Sequence, residues 1–433
     1  MTHENAKQKK KAKRVRRSAI SFPLFYVTIV LLCIGCIMVL SSTYAGQILD
    51  GEDSMSLFIQ HAAASVVCVV MMFLISRFDY RNFNKKPLVI LALVICTALL
   101  GAVFLFRDRG GAHRWIELGS FTLQPSEIAK FVLVFFLAWY LAGNVNWYKS
   151  FKTWAIPFGP IILFAALIVI EPNLSTTAIC ILIPSILLLF IAGMQKWLVA
   201  LGGAAVTAGA ICMMMFVGWR SDRVHAWLDP FFDPQDKSYQ IVQSLYALGG
   251  GNLWGVGLGN SRQKISNLPM ADTDYIFAII AEEFGFIGAV AVILLYAAFI
   301  FMGLRIAMNA PDRFGCYLAS GITIIVAMQV IVNIGVVTNL IPSTGVTLPF
   351  ISRGTSSLLA FSAATGILLS ISAYSTRRAP RKKQKDENGE DVIRRIREIY
   401  FLKLILFKGL CAVSGRYWAQ ACFKSKKFSG KGA

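Results

Sequence analysis

The sequence predicts an all-α integral membrane protein with about ten transmembrane helices and one large outer loop. Of its 433 residues, 56% are hydrophobic and only 15% are charged, whereas an average soluble domain carries about 25% charged residues. The hydrophobic residues also form long runs, and a run of roughly 20 apolar residues can cross the bilayer as a helix. Such runs lie near 22–43, 57–76, 87–106, 126–143, 155–170, 177–194, 197–218, 276–304, 317–338 and 355–374.

The net charge of +20 is concentrated at the two ends of the chain. Residues 1–21 contain eight Lys and Arg against one acid, and residues 376–433 contain sixteen against five. Short basic flanks of transmembrane helices stay in the cytoplasm, so both termini are expected inside, as an even number of spans requires. A basic tail beside an anionic leaflet explains this charge, and we expect no nucleic-acid partner.

These patterns divide the chain into three parts. A basic cytoplasmic tail (1–21) precedes a ten-span membrane domain (22–375), and a second basic cytoplasmic tail (376–433) follows it. Within the second tail, residues 392–413 are both basic and apolar, which is typical of a helix lying in the inner membrane interface. The extracytoplasmic loop at 219–275 is far longer than most connections in compact proteins, and loops of this length usually carry function.

The outer stretch "RDRGGAHRWIELGSFTLQPSEIAK" (107–130) brings basic residues to the start of a span. Pro125 suits the first turn of a helix, which would place Lys130 slightly below the outer surface. A lysine at that depth is costly unless it meets water, an acid or an anionic ligand. Two interpretations stay open: Lys130 pairs with Glu127 at i, i+3 on one helix face, or Lys130 and Arg114 bind a phosphate.

Two further outer stretches carry polar residues. In the long loop, Gln240, Gln243 and Ser244 recur at helical spacing and are predicted to form a polar stripe. "GVGLGN" in the same loop follows no strand, so turns and close packing explain it better than a phosphate-binding loop. "EPNLSTT" (171–177) begins with Glu171, and a turn with a helix cap explains this stretch as well as a ligand would.

The stretch "LPMADTDYIFAIIAEEFG" (268–285) places four acids around the start of one apolar helix. Asp272 or Thr273 can cap that helix, and Asp274 then falls in its first turn. Glu282 lies about 12 Å deeper by helical rise, beyond the roughly 5–9.5 Å that separates the two carboxylates of a glycoside hydrolase. Asp274 is therefore predicted to act alone. Glu283 points to the opposite helix face from Glu282, and both glutamates are explained either by helix–helix hydrogen bonds and buried cations or by substrate binding.

The last outer stretch, "NIGVVTNLIPSTGVTLPFISRGTSS" (333–357), interrupts a helical pattern with two prolines and three glycines. Irregular backbone at membrane depth must be buried in protein or line a polar cavity. We therefore expect this segment to form a wall of the same outer pocket.

Four stretches resemble, in order, motifs of the SEDS family of bacterial shape, elongation, division and sporulation proteins, which includes FtsW, RodA and SpoVE. They are "GAHRWIELGSFTLQPSEIAK", "LDPFFDPQDKSYQIVQSLYALGGGNLWGVGLGNS", "LPMADTDYIFAIIAEEFGFIG" and "NIGVVTNLIPSTGVTLPFISRGTSS". The resemblance covers nearly all of residues 22–375. It implies a peptidoglycan glycosyltransferase of the bacterial cytoplasmic membrane that polymerises lipid II at the outer face, for cell division or cell shape, with a class B penicillin-binding protein. The extended basic N-terminal tail favours a division or sporulation type.

The resemblance also implies site residues. Asp274 occupies the position of the family's essential aspartate. Residues at other motif positions are candidates for substrate binding, and these are Arg114, Lys130, Glu127, Gln240, Gln243 and Ser244, to which Glu283 is added. The chain departs from the family where Met270 and Asp272 stand in place of a frequent Glu and His, where Asn173 replaces an Asp, and where Arg353 and Thr355 replace Tyr and Gly.

The chemistry of lipid II fits these residues. Asp274 would take the proton of the acceptor's sugar hydroxyl, and Arg114 and Lys130 would stabilise the departing pyrophosphate. A divalent cation, Mg²⁺ or Mn²⁺, is a further candidate for that second role, and no tightly bound cofactor is expected. Two alternatives stay open: a lipid II flippase or transporter, and a non-catalytic scaffold for a penicillin-binding protein. Because transporters usually bind near the membrane midplane, charged groups at the outer rim favour surface chemistry.

Overall fold

The computed structural model describes residues 20–50, 54–106, 113–118, 121–144, 155–188, 218–236, 238–264 and 268–375. Within these ranges the chain forms eleven α-helices, two short 3-10 turns and one two-stranded hairpin. The predicted all-α membrane fold is confirmed. The expected span at 197–218, nearly all of the first tail and the second tail with its interfacial helix at 392–413 lie outside the described residues.

The helices follow one another in chain order as α1 (Phe22–Asp50), α2 (Ser54–Arg77), α3 (Lys86–Ala102), α4 (Pro125–Gly143), α5 (Phe158–Ile170), α6 (Leu174–Ile186), α7 (Gly218–Leu228), α8 (Tyr239–Gly250), α9 (Ile276–Met308), α10 (Arg313–Val337) and α11 (Thr355–Ala373). The 3-10 turns cover Tyr80–Phe83 and Val103–Leu105. Strands β1 (Ile116–Leu118) and β2 (Phe121–Leu123) pair antiparallel, with Ile116 opposite Leu123. This hairpin was not expected from the sequence, where only a loop before α4 was predicted.

Seven of the described helices are long and apolar enough to cross a membrane: α1, α2, α3, α4, α9, α10 and α11. The shorter apolar helices α5 and α6 lie where the sequence predicted its two shortest spans. α10 and α11 are largely enclosed and α4 packs against both, whereas α2 and α3 turn most of their side chains outward. Outward apolar residues such as Val66 and Val94 are what a lipid-facing helix surface requires.

The turn that links α9 to α10 is fixed by polar contacts at the end of the bundle away from the start of α9. The Tyr80 hydroxyl donates to Asp312 Oδ2 at 2.5 Å, and Arg81 Nε lies 3.4 Å from the same oxygen. Asp312 Oδ1 also caps α10 by accepting from the Gly315 N–H at 2.7 Å. Arg81 and Asp312 are both partly exposed, so this is a surface ion pair.

α9 is broken at Gly285, whose φ of 67° and ψ of −166° are not helical. The turn after α8 fits into this break. The Val256 N–H donates to Glu282 O and the Gly257 N–H donates to Glu283 O, each at 3.0 Å. The carbonyl groups that the kink leaves without helical partners therefore receive donors from the large outer loop, which is joined to α9 by main-chain hydrogen bonds.

Gly285→Ala should destabilise the protein. A Cβ at this position would clash with the main-chain N of Gly255. The backbone conformation is almost exclusive to glycine, so strain alone should cost about 1–3 kcal/mol. Thermal unfolding of the purified protein in detergent measures the loss. Gly101→Ala is the matched control, because that helical glycine has open space around it. Equal stability of the two variants would contradict this account of the kink.

Candidate active site

Asp274 lies at the end of a short irregular segment, residues 272–274, that leads into α9. Its backbone is held by residues 333–353, which run from α10 to the start of α11. Three consecutive carbonyl oxygens each accept one hydrogen bond: Arg353 N–H donates to Asp272 O (2.9 Å), Ser352 Oγ to Thr273 O (2.5 Å) and Asn333 Nδ2 to Asp274 O (2.8 Å). The position of Asp274 is therefore fixed by its main chain, which leaves its carboxylate available for chemistry.

The start of α9 has no side-chain cap, contrary to the expectation that Asp272 or Thr273 provides one. Tyr275 is the N-cap residue and makes no capping hydrogen bond. The Thr273 hydroxyl donates to Met270 O at 3.3 Å, and the Asp272 carboxylate contacts Arg353 Nε at 2.7 Å. The two side chains that the sequence offered as caps are therefore engaged in other contacts.

The Asp274 carboxylate lies beside Gly345, and the charges of two arginines act on it. A Cβ at Gly345 would come within 3.3 Å of Asp274 Oδ2, so the carboxylate lies close to the main chain at that glycine. The pKa of Asp274 is raised to about 6, mainly by burial and also by the negative charge of Asp272, and this value includes the opposite effects of Arg223 and Arg114, which lower it. A carboxyl with this pKa is ionised at neutral pH and still basic enough to accept a proton in catalysis.

Arg114 is fixed by the turn between α5 and α6. Its Nη2 donates to Pro172 O at 2.6 Å, and its Nε donates to Glu171 O at 3.4 Å. The Glu171 side chain is fully buried, and neither of its oxygens has a hydrogen-bond partner among the described residues. Burial raises the pKa of Glu171 to about 8, an effect that Arg114 opposes. The turn between α5 and α6 therefore brings a guanidinium group next to a buried carboxyl whose pKa lies above neutral pH.

Arg223, on α7, was not among the residues singled out from the sequence. Its Nη1 donates to Ser343 O at 3.3 Å. One turn further along α7, Trp227 Nε1 donates to Asn339 O at 3.1 Å, and Asn339 Nδ2 donates to Trp227 O at 3.2 Å. These contacts dock α7 against the chain that follows α10. The i, i+4 spacing of Arg223 and Trp227 placed them on one helix face, but nothing in the sequence indicated that this face meets Asp274.

Lys130 and Glu127 belong to a buried polar network that includes Gln329. Lys130 Nζ donates to Glu127 Oε1 at 2.6 Å and to Gln329 Oε1 at 2.7 Å, and only 1% of the Lys130 side chain is exposed. Gln329 Nε2 in turn donates to Thr347 O at 3.3 Å. The i, i+3 pairing that the first interpretation of Lys130 described is therefore present. Gln329 precedes Asn333 by one turn of α10, so the network supports the same segment that holds Asp274.

The remaining candidates from the sequence lie on α8 and in α9 just before its break at Gly285. On α8, Ser244 Oγ donates to Val337 O at 2.9 Å and is buried, while Gln240 and Gln243 are partly buried. Glu283 accepts hydrogen bonds from Lys264 Nζ at 2.9 Å and from Ser41 Oγ at 2.6 Å. Glu283 is therefore paired with a buried cation, and Lys264 ties the outer loop to α9 and α1.

Glu282 points to the other face and binds main chain. Its carboxylate accepts from the Ser261 hydroxyl, from the Arg262 N–H at 3.0 Å and from the Gln263 N–H at 3.4 Å. The two adjacent glutamates therefore hold neighbouring parts of the outer loop. Across the ranges that the structure describes, no group of three or more His, Cys, Asp and Glu side chains could hold a metal ion by itself.

Comparison with known proteins gives a consistent result. The family model described as cell cycle protein, which covers FtsW, RodA and SpoVE, matches residues 22–377. Stage V sporulation protein E of Bacillus subtilis is 38% identical over 356 residues, or 81% of this chain and 96% of that protein. The "Probable peptidoglycan glycosyltransferase FtsW" of Aliivibrio salmonicida is 34% identical over 379 residues, or 84% of this chain and 92% of that protein.

Solved structures have the same fold. A chain from a peptidoglycan synthase complex, described as coordinating polymerization and crosslinking, is 25% identical with a TM-score of 0.66, and the match covers 82% of this chain and 98% of that chain. Rod shape determining protein RodA of Thermus thermophilus is 22% identical with a TM-score of 0.61, over 83% of this chain and 99% of that chain. The membrane architecture described above is therefore that of these proteins.

Glu127→Gln should strongly destabilise the protein, because it leaves the buried Lys130 ammonium without its counter-charge. Breaking one side of a buried ion pair costs about 3–5 kcal/mol, and Lys130→Met combined with Glu127→Gln should recover part of that loss. The free energy of unfolding in detergent measures both the loss in the single variant and the recovery in the double variant. Arg81→Met breaks the partly exposed pair with Asp312 and should cost no more than about 1 kcal/mol. Wild-type stability of Glu127→Gln would show that Lys130 does not need this partner.

Proposed function

Because this chain belongs to the cell cycle protein family of FtsW, RodA and SpoVE, we propose that it polymerises lipid II into glycan strands with Asp274 as the catalytic base. The chain is a multi-pass membrane protein and a peptidoglycan glycosyltransferase, since relatives with that name match most of its length. One observation carries the assignment of the base. The Asp274 carboxylate stands at the start of α9, on an anchored backbone, within the electrostatic influence of two arginines.

The proposed reaction joins two lipid-linked disaccharides. Asp274 accepts the proton of the acceptor's sugar hydroxyl while that oxygen forms a bond to the anomeric carbon of the donor. The bond between the donor's anomeric carbon and its pyrophosphate breaks, and the electron pair leaves with the polyprenyl pyrophosphate. Proton transfer to a positioned base contributes about 10²–10⁴-fold to such a rate. Arg114 and Arg223 supply the positive charge that stabilises the leaving group.

Lys130 and Glu127 contribute to this reaction indirectly in our proposal. Their buried pair and Gln329 support the chain from 333 to 347, which forms the wall beside Asp274. Gln240 and Gln243 on α8 stay candidates for contacts to the sugar or peptide of the substrate. Ser244 and Glu283 would act by holding α8 and the outer loop in place, given their contacts to Val337 O and Lys264.

The position of Asp274 suits a substrate that is half lipid. The polyprenyl tail of lipid II remains in the bilayer, and its pyrophosphate and disaccharide project from the outer surface. With both basic tails in the cytoplasm, the start of α9 faces outward and Asp274 meets the sugar end of the substrate. The neighbour solved within a peptidoglycan synthase complex supports a class B penicillin-binding protein as the partner that crosslinks the product.

A divalent cation is compatible with this site. Mg²⁺ binds substrate phosphates in many enzymes. In our proposal, Mg²⁺ or Mn²⁺ would be held by the pyrophosphate of the substrate and would neutralise charge on the leaving group, while the Asp274 carboxylate stays free to accept the proton. The anchoring of Asp274 and the two guanidinium groups need no such ion.

Asp274→Asn should abolish lipid II polymerisation by the purified chain, with a loss of about 100-fold or more. In the parent protein, kcat/KM should fall as the pH drops below about 6, because the base must be ionised. Asp236→Asn removes an exposed carboxylate from the same outer loop and should polymerise normally. Full activity of Asp274→Asn would contradict the assignment. Lipid movement without polymer would indicate a flippase, and complementation of a deletion strain by Asp274→Asn would indicate a scaffold.

Arg223→Gln should lower kcat by about 10²–10³-fold, as expected when a group that stabilises developing negative charge is removed. It should also move the acid limb of the kcat/KM profile to higher pH, because Arg223 lowers the pKa of Asp274. Arg262→Gln is the matched control, since Arg262 is an exposed arginine of the same loop. An unchanged kcat and an unmoved limb would exclude Arg223 from the site.

A further inference from the structure

Asp272 and Arg353 are joined to each other twice. The Arg353 guanidinium Nε lies 2.7 Å from Asp272 Oδ2, and the Arg353 main-chain N–H donates to Asp272 O at 2.9 Å. The Asp272 side chain is 16% exposed and the Arg353 side chain 34%. The contact joins the segment that leads into α9 to the residues just before α11, so it ties two elements that are far apart in sequence.

This ion pair lies beside the proposed base. Asp272 is close enough to Asp274 for its charge to act on that carboxyl, in opposition to Arg223 and Arg114. The Tyr275 hydroxyl also interacts with Asp274 and Arg223. From α2, His61 lies within the electrostatic influence of Arg353. These charged and titratable groups come from five different segments of the described chain.

We propose that the Asp272–Arg353 pair positions Asp274 and, by compensating the charge of Asp272, sets the pH range over which Asp274 accepts a proton. This inference rests on the proposed function. Neither residue touches the reacting atoms, so both are positioning residues. Their effect reaches Asp274 along two routes: through the backbone that they hold, and through the electrostatic field at its carboxylate.

The electrostatic route follows from the signs of the charges. Two carboxylates in one partly buried site repel each other more strongly than they would in water. The charge of Asp272 therefore raises the pKa of Asp274. Arg353 offsets this repulsion because its guanidinium is in contact with Asp272. Loss of Arg353 leaves the full charge of Asp272 beside Asp274, and loss of Asp272 removes the repulsion. The two single changes therefore act in opposite directions.

A purely structural role would have a different consequence. If the pair only held the chain, either single change would loosen the 272–274 segment and lower the rate in the same direction. Asp272→Asn keeps the size of the side chain and leaves the main-chain bond from Arg353 intact. It is therefore the variant that separates charge from structure most cleanly, and it should fold as the parent does.

The test is the pH dependence of lipid II polymerisation by the full-length purified chain. Compared with the parent, Asp272→Asn should move the acid limb of kcat/KM to lower pH and Arg353→Met should move it to higher pH, each by about one pH unit. The double variant should return the limb close to that of the parent while the rate stays reduced. Exchange of the two residues, Asp272→Arg with Arg353→Asp, should recover more of the rate than Arg353→Met retains. Arg81→Met, which breaks a similar surface pair at the other end of α9, should leave the limb unmoved.

The outcomes separate this inference from the function on which it rests. Unmoved acid limbs in Asp272→Asn and Arg353→Met, with Asp274→Asn inactive, would overturn the inference and leave the catalytic role of Asp274 intact. Full activity of Asp274→Asn would overturn the proposed function itself. If Arg353→Met fails to fold, Asp272→Asn alone decides: a shift to lower pH supports the inference, and no shift overturns it.

Discussion

The donors that the 333–353 chain supplies to the carbonyl oxygens of residues 272–274 are the contacts on which the rest of the site depends. An irregular segment that leads into a membrane helix leaves main-chain carbonyl groups that must find hydrogen-bond donors inside the protein. Here those partners come from α10 and from the residues before α11. The same residues form the wall beside Asp274. One set of contacts therefore both satisfies the carbonyl groups of residues 272–274 and places the proposed base. Gln329, one turn before Asn333, extends this support to the Lys130–Glu127 pair.

Electrostatics then sets how the anchored carboxylate behaves. Burial and Asp272 favour its protonated form, and Arg223 and Arg114 favour its ionised form. The balance leaves Asp274 a stronger base than an exposed aspartate, yet ionised at neutral pH. The arginines therefore have two effects in our proposal. Their positive charge stabilises the leaving pyrophosphate, and it also keeps Asp274 ionised. This combination stands at the start of α9, at one end of a helix long enough to cross a membrane, and a site at the end of a span suits transfer at the membrane surface better than transport.

The sequence was sufficient for the features that depend on length and on local spacing. Apolar runs predicted the membrane helices, i, i+3 spacing predicted the Lys130–Glu127 pair, and composition predicted an irregular segment after α10. Contacts between distant segments could not be predicted. The break at Gly285 is stable because the turn after α8 fits into it, and Arg223 reaches the site because α7 docks on residues 339–343. Asp272 and Arg353 were read as two separate departures from the family, whereas the structure shows that they contact each other.

The buried ion pairs are distributed in a way that composition alone does not explain. Among the described residues, Lys130–Glu127 and Lys264–Glu283 are the pairs with almost no exposure, and each contacts irregular outer chain or the helix that supports it. Buried charges cost several kcal/mol of desolvation each, roughly balanced by pairing, so they add little to stability. Their effect is on position: a buried charge cannot leave its partner without a large cost, so the segment that carries the charge is held in place. Lys264 fixes the large loop to α1 and α9, and Lys130 fixes the support of the 333–347 chain. The outer segments that hold Asp274 therefore cannot move without separating these charges.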